Sequence, residues 1–190
     1  METIFHDDKE FKNIDYSEKE LKNRKFINCK FLNCNFTKSD LSNNDFSDCS
    51  FCDCNFSMAK LTNSGLKNAG FTNCKLIGVS FNECSSFLFS VNFRSCNLDY
   101  TSFLKKVMKK TSFVDCSLSE ADFTEADLTM AVFDKCNLYN AIFYHTLLEK
   151  TNFSTSINII LDPEKNRIKK ARFSPEGALG LLAKYNIEIV

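Results

Sequence analysis

The sequence predicts an all-β solenoid, a chain wound into square coils of 20 residues around a narrow apolar core, with one helix near its C-terminal end. Three observations carry this reading. Phe or Leu recurs at every fifth position from Phe11 to Phe81, and again, two residues out of step, from Leu88 to Phe153; of 29 such centres 16 are Phe and 11 are Leu, with Tyr16 and Met108 completing the set. Cysteines recur every 20 residues, at Cys34, Cys54 and Cys74 and then at Cys96, Cys116 and Cys136. In "CKFLNCNFTKSDLSNNDFSDCSFCDCNF" (Cys29–Phe56) the cysteine so often stands two residues before the centre that a Cys-x-Phe rhythm results.

A five-residue period suits neither regular element. On an α-helix five residues leave a side chain turned by about 140°, so the apolar set would smear around the cylinder. On a straight strand five is odd, and successive centres would point to opposite faces. Every fifth residue can be buried only if the chain turns a corner every five residues. Each edge is then locally extended, so a centre and the residue two before it both point inward. The 20-residue cysteine period makes the coil four-sided. Two extra residues near Ser85–Phe87, bulging outward, keep the columns continuous: Phe31, Phe51, Phe71, Phe93, Phe113, Phe133 and Phe153 form one stack, and Leu98, Leu118 and Leu138 extend the column of Phe36, Phe56 and Leu76.

Taken in order, residues 1–10 are an N-terminal cap, and 11–153 wind about seven coils into a rod on the order of 35 Å long, at about 4.8 Å per coil. "CSSFLFS" (Cys84–Ser90) shifts the frame near 84–88 and should form a small loop with Phe87 or Phe89 exposed. "FLKKVMKKTSF" (Phe103–Phe113) places Lys106 at an inward position. An unpaired buried ammonium is costly, so the backbone is expected to distort and release Lys106 into a basic ridge with Lys105, Lys109 and Lys110. Residues 154–190 leave the five-residue spacing. They read as a hairpin-like extended pair around a turn at Asp162–Asn166, then a helix over 175–185 with Ser174 as N-cap, Pro175 at its first position and Asn186 at its end, then a short strand "IEIV". The helix caps an open end that would otherwise aggregate.

Repeats such as "ADFTEADLTM" (Ala121–Met130), "CNFTKSDLSN" and "CNLYNAIFYH" resemble the pentapeptide-repeat family, whose pattern is a small residue, Asp or Asn, Leu or Phe, and two polar residues. The resemblance implies a right-handed quadrilateral β-helix. Its Qnr-like quinolone-resistance members act on DNA gyrase and topoisomerase IV, and carry a C-terminal helix that pairs two molecules end to end. By that likeness Leu179 and Leu182 are the expected dimer contacts. Mycobacterial relatives mimic DNA with an acidic rod.

The residues themselves point away from catalysis. Nine of the ten cysteines fall at inward positions, as small buried reduced thiols would; only Cys52 is off the register. Parallel side chains in a column do not converge on a metal. His145 lies outward, Asp122, Glu125 and Asp127 sit at outward repeat positions without a marked pocket, and no glycine loop suits a phosphate. No enzyme activity, metal or cofactor is therefore expected. No apolar run is long enough for a membrane span and the acidic N-terminal stretch lacks a signal core, so the expected setting is cytoplasmic. Residues 21–153 hold 13 Asp/Glu against 15 Lys/Arg, too balanced for a DNA mimic, and the four lysines come without the interleaved aromatics of direct nucleic-acid binding. The expected role is a protein-interaction or structural scaffold, with a type II topoisomerase as the alternative partner. The candidate contact residues are Phe87, Phe89, Lys105, Lys106, Lys109 and Lys110, with an acidic group at Glu120, Asp122, Glu125 and Asp127.

Overall fold

The computed structural model describes residues 4–188. Every strand pairs in parallel with its counterpart 20 residues on, as in Phe31↔Phe51 and Phe113↔Phe133, and the step becomes 22 across the frame shift, at Phe71↔Phe93. One sheet has four strands, from Ile4–Asp7 to Gly65–Lys67; another has nine, from Glu10–Lys12 to Arg172–Phe173. Single-residue bridges form the ladders of the remaining faces, one running from Asp15 through Asn35 and Asn97 to Ile157, another linking Ser102, Asp122 and Ile142. The chain is thus a four-sided parallel solenoid of about eight turns. Its faces are named here by their buried centres: Phe113, Leu118, Phe123 and Leu128.

The corner is a backbone event. Two residues after each centre, from Asp8 through Asn13 and Asn33 to Gly78, and again from Ser95 to Lys150, φ is positive. Asn and Asp tolerate this left-handed conformation better than other side chains, which accounts for the many asparagines. The residue before the centre fixes the turn from the other side. Asn35, Asp40, Asp122 and Asp127 each accept a hydrogen bond through Oδ1 from the N–H two residues on, at 2.8–3.1 Å.

Inside, the stack of Phe31 to Phe153 is continuous and longer than expected, since Phe11 and Phe173 extend it at both ends with centroids 4.8 and 5.4 Å from their neighbours. Rings within a column lie nearly parallel, and rings on adjacent faces meet edge to face, as Phe113 does with Phe123 at 6.1 Å and 87°. Leu98, Leu118 and Leu138 are fully buried. Where the inward residue two before a centre is Ser, Thr, Asn or Cys, it commonly donates to a carbonyl of the preceding coil, while Ala takes the position elsewhere. Ser64 reaches Leu41 O (2.7 Å), Thr146 reaches Phe123 O (2.9 Å) and Cys54 reaches Phe31 O (3.5 Å). Small polar residues recur there because each both fits the corner and satisfies a backbone acceptor.

Several expectations are corrected. Of the expected cap over 1–10, the described residues 4–10 already belong to the solenoid: Ile4–Asp7 is a strand paired with Arg24–Ile27, and His6 stacks on Phe26 at 4.8 Å as a further inward centre. No hairpin spans 154–173. That segment is one more parallel coil, with Asn152↔Arg172 and Phe153↔Phe173 in register, because the five-residue frame returns at Ile168 and Phe173 after being broken by Asn158 and Pro163. Leu88 is not a buried centre. It lies 64% exposed in the loop with φ 55°, and Phe89 leans on the core instead, 6.5 Å from Phe81. The C-terminal helix is short, Pro175–Leu179, with Ser174 accepting from Gly177 N at 2.9 Å; a 3-10 turn, Ala183–Tyr185, follows and Asn186 closes it in the left-handed conformation. Ile187 and Glu188 form no strand, and the rest of the expected "IEIV" strand lies outside the described residues.

Candidate interaction face

On the Leu128 face the inward column two before the centre runs Asn44, Ser64, Cys84, Lys106, Ala126, Thr146 and Asn166, a succession of small or hydrogen-bonding residues broken by one lysine. Lys106 is not released to solvent as its charge had suggested. It is only 2% exposed, and its ammonium donates to the Cys84 carbonyl and to Ser86 Oγ at 3.3 Å while lying 4.9 Å from the Phe89 ring centroid. Two oxygens and an aromatic face take the place of water, so the backbone keeps its repeat. Burial lowers the ammonium's pKa. All three partners come from the frame-shift segment, so the buried lysine moors the loop that interrupts the coil.

That loop stands out from the Leu128 face. Phe87 is 69% exposed, with Lys67 Nζ 5.6 Å from its ring centroid, and Leu88 is exposed beside it. Phe89 is half-buried and serves as an anchor. The next coil places Lys109 and Lys110 on the same face with Lys105 at the corner leading into it, and the coil after that places Asp127 on the face and Glu125 at that corner. Lys105 pairs with Glu125 (3.7 Å) and Lys109 with Asp127 (3.3 Å). Burial works to raise the Asp127 pKa, but hydrogen bonds from Thr129 and Lys109 hold it below the usual carboxylate range. Lys105 over Glu125 is the stacking that the 20-residue period predicts; with Lys109 over Asp127 it makes part of the lysine ridge and part of the acidic group adjacent, paired rows. Glu120 and Asp122 lie around the corner, at the Leu118 and Phe123 faces, apart from this pairing. Leu179 and Leu182 are exposed at the far end of the rod.

The interior offers no comparable site. Nine of the ten thiols are buried, and among the described residues no group of three or more His, Cys, Asp or Glu is arranged to hold a metal. Among the described residues no helix is long and apolar enough to cross a membrane. Sequence reasoning missed a second charged row, on the last coil, where Lys165, Arg167, Lys169, Lys170 and Arg172 are all exposed. The signal was the return of the five-residue frame at Ile168 and Phe173, which places these cations at outward positions.

The model of the pentapeptide repeat region matches residues 24–87, and that of pentapeptide repeats in eight copies matches 116–154, together more than half of the chain. The chain belongs to the pentapeptide-repeat family. No curated protein matches it in sequence. Among solved structures it resembles a trypsin-treated form of QnrB1, a plasmid-mediated fluoroquinolone resistance protein, with 20% identity and a TM-score of 0.55 over 97% of this chain and 99% of that one. HetL, a pentapeptide repeat protein involved in heterocyst differentiation regulation from the cyanobacterium Nostoc, matches with 17% identity and a TM-score of 0.43 over 92% of this chain and 90% of its own. At these identities the likeness is one of fold.

Proposed function

We propose that this protein is a non-enzymatic interaction module whose contact surface is the Leu128 face, centred on the loop Ser85–Ser90. The observation that carries the reading is the buried Lys106. An ammonium placed at a buried position is costly, and its partners are all loop groups; it holds Phe87 and Leu88 in a defined exposed position. An exposed aromatic and an aliphatic side chain on a fixed loop, beside rows of opposite charge, is the composition of a protein contact with an apolar centre and a polar rim. The core is filled from end to end, so the activity of the rod is expected at its surface.

The test is capture from a host lysate on immobilised protein. Replacing Phe87 and Leu88 with Ser leaves the coils intact and is expected to abolish the captured band. Retention of the same partner by that variant would place the contact elsewhere.

A second reading is Qnr-like action on a type II topoisomerase, although the insertion adds only two residues to the repeat; what supports it is that Phe87 and Leu88 are exposed there. Protection against a fluoroquinolone could depend on one short projecting segment, whatever the charge of the rod.

A further inference from the structure

The last coil carries a charge pattern that the loop does not explain. Its two carboxylates, Asp162 and Glu164, are both engaged by Lys184, at 2.8 and 2.7 Å. Lys165, Arg167, Lys169, Lys170 and Arg172 are exposed and, among the described residues, form no ion pair. Lys165 closes the turn that begins at Asp162, Arg167 forms the parallel bridge to Leu147, and Lys169 and Lys170 stand at the left-handed corner that follows. Asn166 and Ile168 between them point inward, Asn166 donating to Phe143 O at 3.0 Å.

Among the described residues the backbone of this coil is also open on its outer side. One coil earlier, the amides of Leu148 and Lys150 donate to the carbonyls of Arg167 and Lys169, at 2.9 and 3.0 Å. The carbonyls of Thr146 and Thr151 accept from Arg167 and Arg172, at 3.0 and 2.9 Å. Their counterparts on the last coil are the N–H groups of Ile168 and Lys170 and the carbonyls of Asn166 and Ala171. Among the described residues these have no hydrogen-bond partner across the edge. The short helix and the 3-10 turn cross the end at Ile159 and at Asp162–Glu164, as the close approach of Gly180 to Ile159 O and the reach of Lys184 show.

The molecule itself shows what fits such an edge. The row of Lys105 and Lys109 is covered by the next coil, a parallel strand that brings Glu125 and Asp127 onto the two lysines. We propose that the last coil binds an acidic segment of a partner protein, laid in parallel on the coil as its next turn and bending with it at Lys170, with carboxylates at every second residue over Lys165, Arg167 and Lys169. The backbone groups supply the ladder and the cations supply the selectivity. The proposal rests on the interaction-module reading but uses a different surface from the loop.

The probe is a fluorescein-labelled octapeptide of alternating Glu and Thr, compared by anisotropy with a peptide of the same composition in two blocks. The alternating peptide is expected to bind more tightly, more weakly as salt rises from about 50 to about 300 mM, and with a loss of at least about tenfold in the double variant Arg167→Glu/Lys169→Glu. Amide exchange at Ile168 and Lys170 should slow when it binds. Equal binding of the two peptides, full affinity in the double variant, no binding of either peptide, or tighter binding of an oligothymidylate would each overturn the proposal. The Phe87→Ser/Leu88→Ser variant should bind the peptide normally, so failure at this edge leaves the loop reading standing, and the reverse.

Discussion

Cys49 and Cys84 show what an inward position does to a side chain. Both are buried, Cys49 donates to Phe26 O at 3.6 Å, and burial pushes each thiol up to about 12. In the Cys54–Cys136 column shared hydrogen bonds raise Cys74 and Cys116 while lowering Cys54, Cys96 and Cys136, so the pH dependence that follows is that of Cys49 and Cys84, raised by burial. In an unfolded chain a thiol ionises near about 8.5. Because the folded values of Cys49 and Cys84 are raised, the contribution of these two thiols to stability is complete below about pH 8.5. It is lost as pH climbs from there towards 12, where the unfolded chain alone can ionise. The melting temperature is therefore expected to fall steadily above pH 9, and less in Cys49→Ser, which keeps a donor but has no thiol to titrate. In the native state Cys52, half-buried and off the column, should react first with a thiol reagent, the other nine only on unfolding. Rapid native labelling of several cysteines would contradict the burial argument.

At the scale of the element, the loop and Lys106 form one unit. Replacing Lys106 with Met keeps the volume of the column and removes the two hydrogen bonds to Cys84 O and Ser86. Hydrogen bonds to a charged group contribute about 1.5–3 kcal/mol each, offset here by the lost desolvation cost. The rod should therefore melt close to the parent temperature while the loop loosens. Chymotrypsin cleavage at Phe87–Phe89 is expected to speed up by about tenfold, reflecting local opening rather than global unfolding. A lower melting temperature with unchanged cleavage would mean that Lys106 holds the coil and not the loop. The same element marks where the sequence could be read and where it could not. Centres such as Phe113 and Leu128 were legible because a one-dimensional period dictates their burial. The fate of Lys106 was not, because the cost of burying an ammonium depends on what surrounds it, and its partners sit 17 to 22 residues away in an irregular loop. Leu88 was misplaced for a related reason: with two extra residues, spacing alone could not decide whether Leu88 or Phe89 would lean inward. The basic row at Lys165–Arg172 went unseen because Asn158 and Pro163 occupy centre positions and hide the last coil. The left-handed corners at Asn33 or Asn63 were implicit in the many asparagines.

For the whole molecule, charge decides between two ways of meeting a DNA-handling enzyme. Duplex DNA carries about one negative charge per 1.7 Å of axis. A rod of about eight turns, at about 4.8 Å each, would need on the order of 20 net negative charges to imitate that density. Residues 21–153 hold 13 acidic and 15 basic side chains, and the structure spends part of the acidic set within the rod, Glu125 and Asp127 on Lys105 and Lys109. The last coil adds an unpaired basic row, the opposite of a phosphate backbone. Submicromolar inhibition of gyrase supercoiling in the absence of drug is therefore not expected, and observing it would overturn the charge argument. The loop makes a separate prediction, because a contact through Phe87 and Leu88 needs no matching field. If the second reading holds, titrating the protein into a supercoiling reaction poisoned with ciprofloxacin should restore activity, and Phe87→Ser/Leu88→Ser should remove that rescue while leaving the melting temperature unchanged. Absence of rescue by the parent protein would eliminate the topoisomerase reading and leave the general interaction module. Rescue that survives loss of the loop side chains would move the contact to another face of the rod.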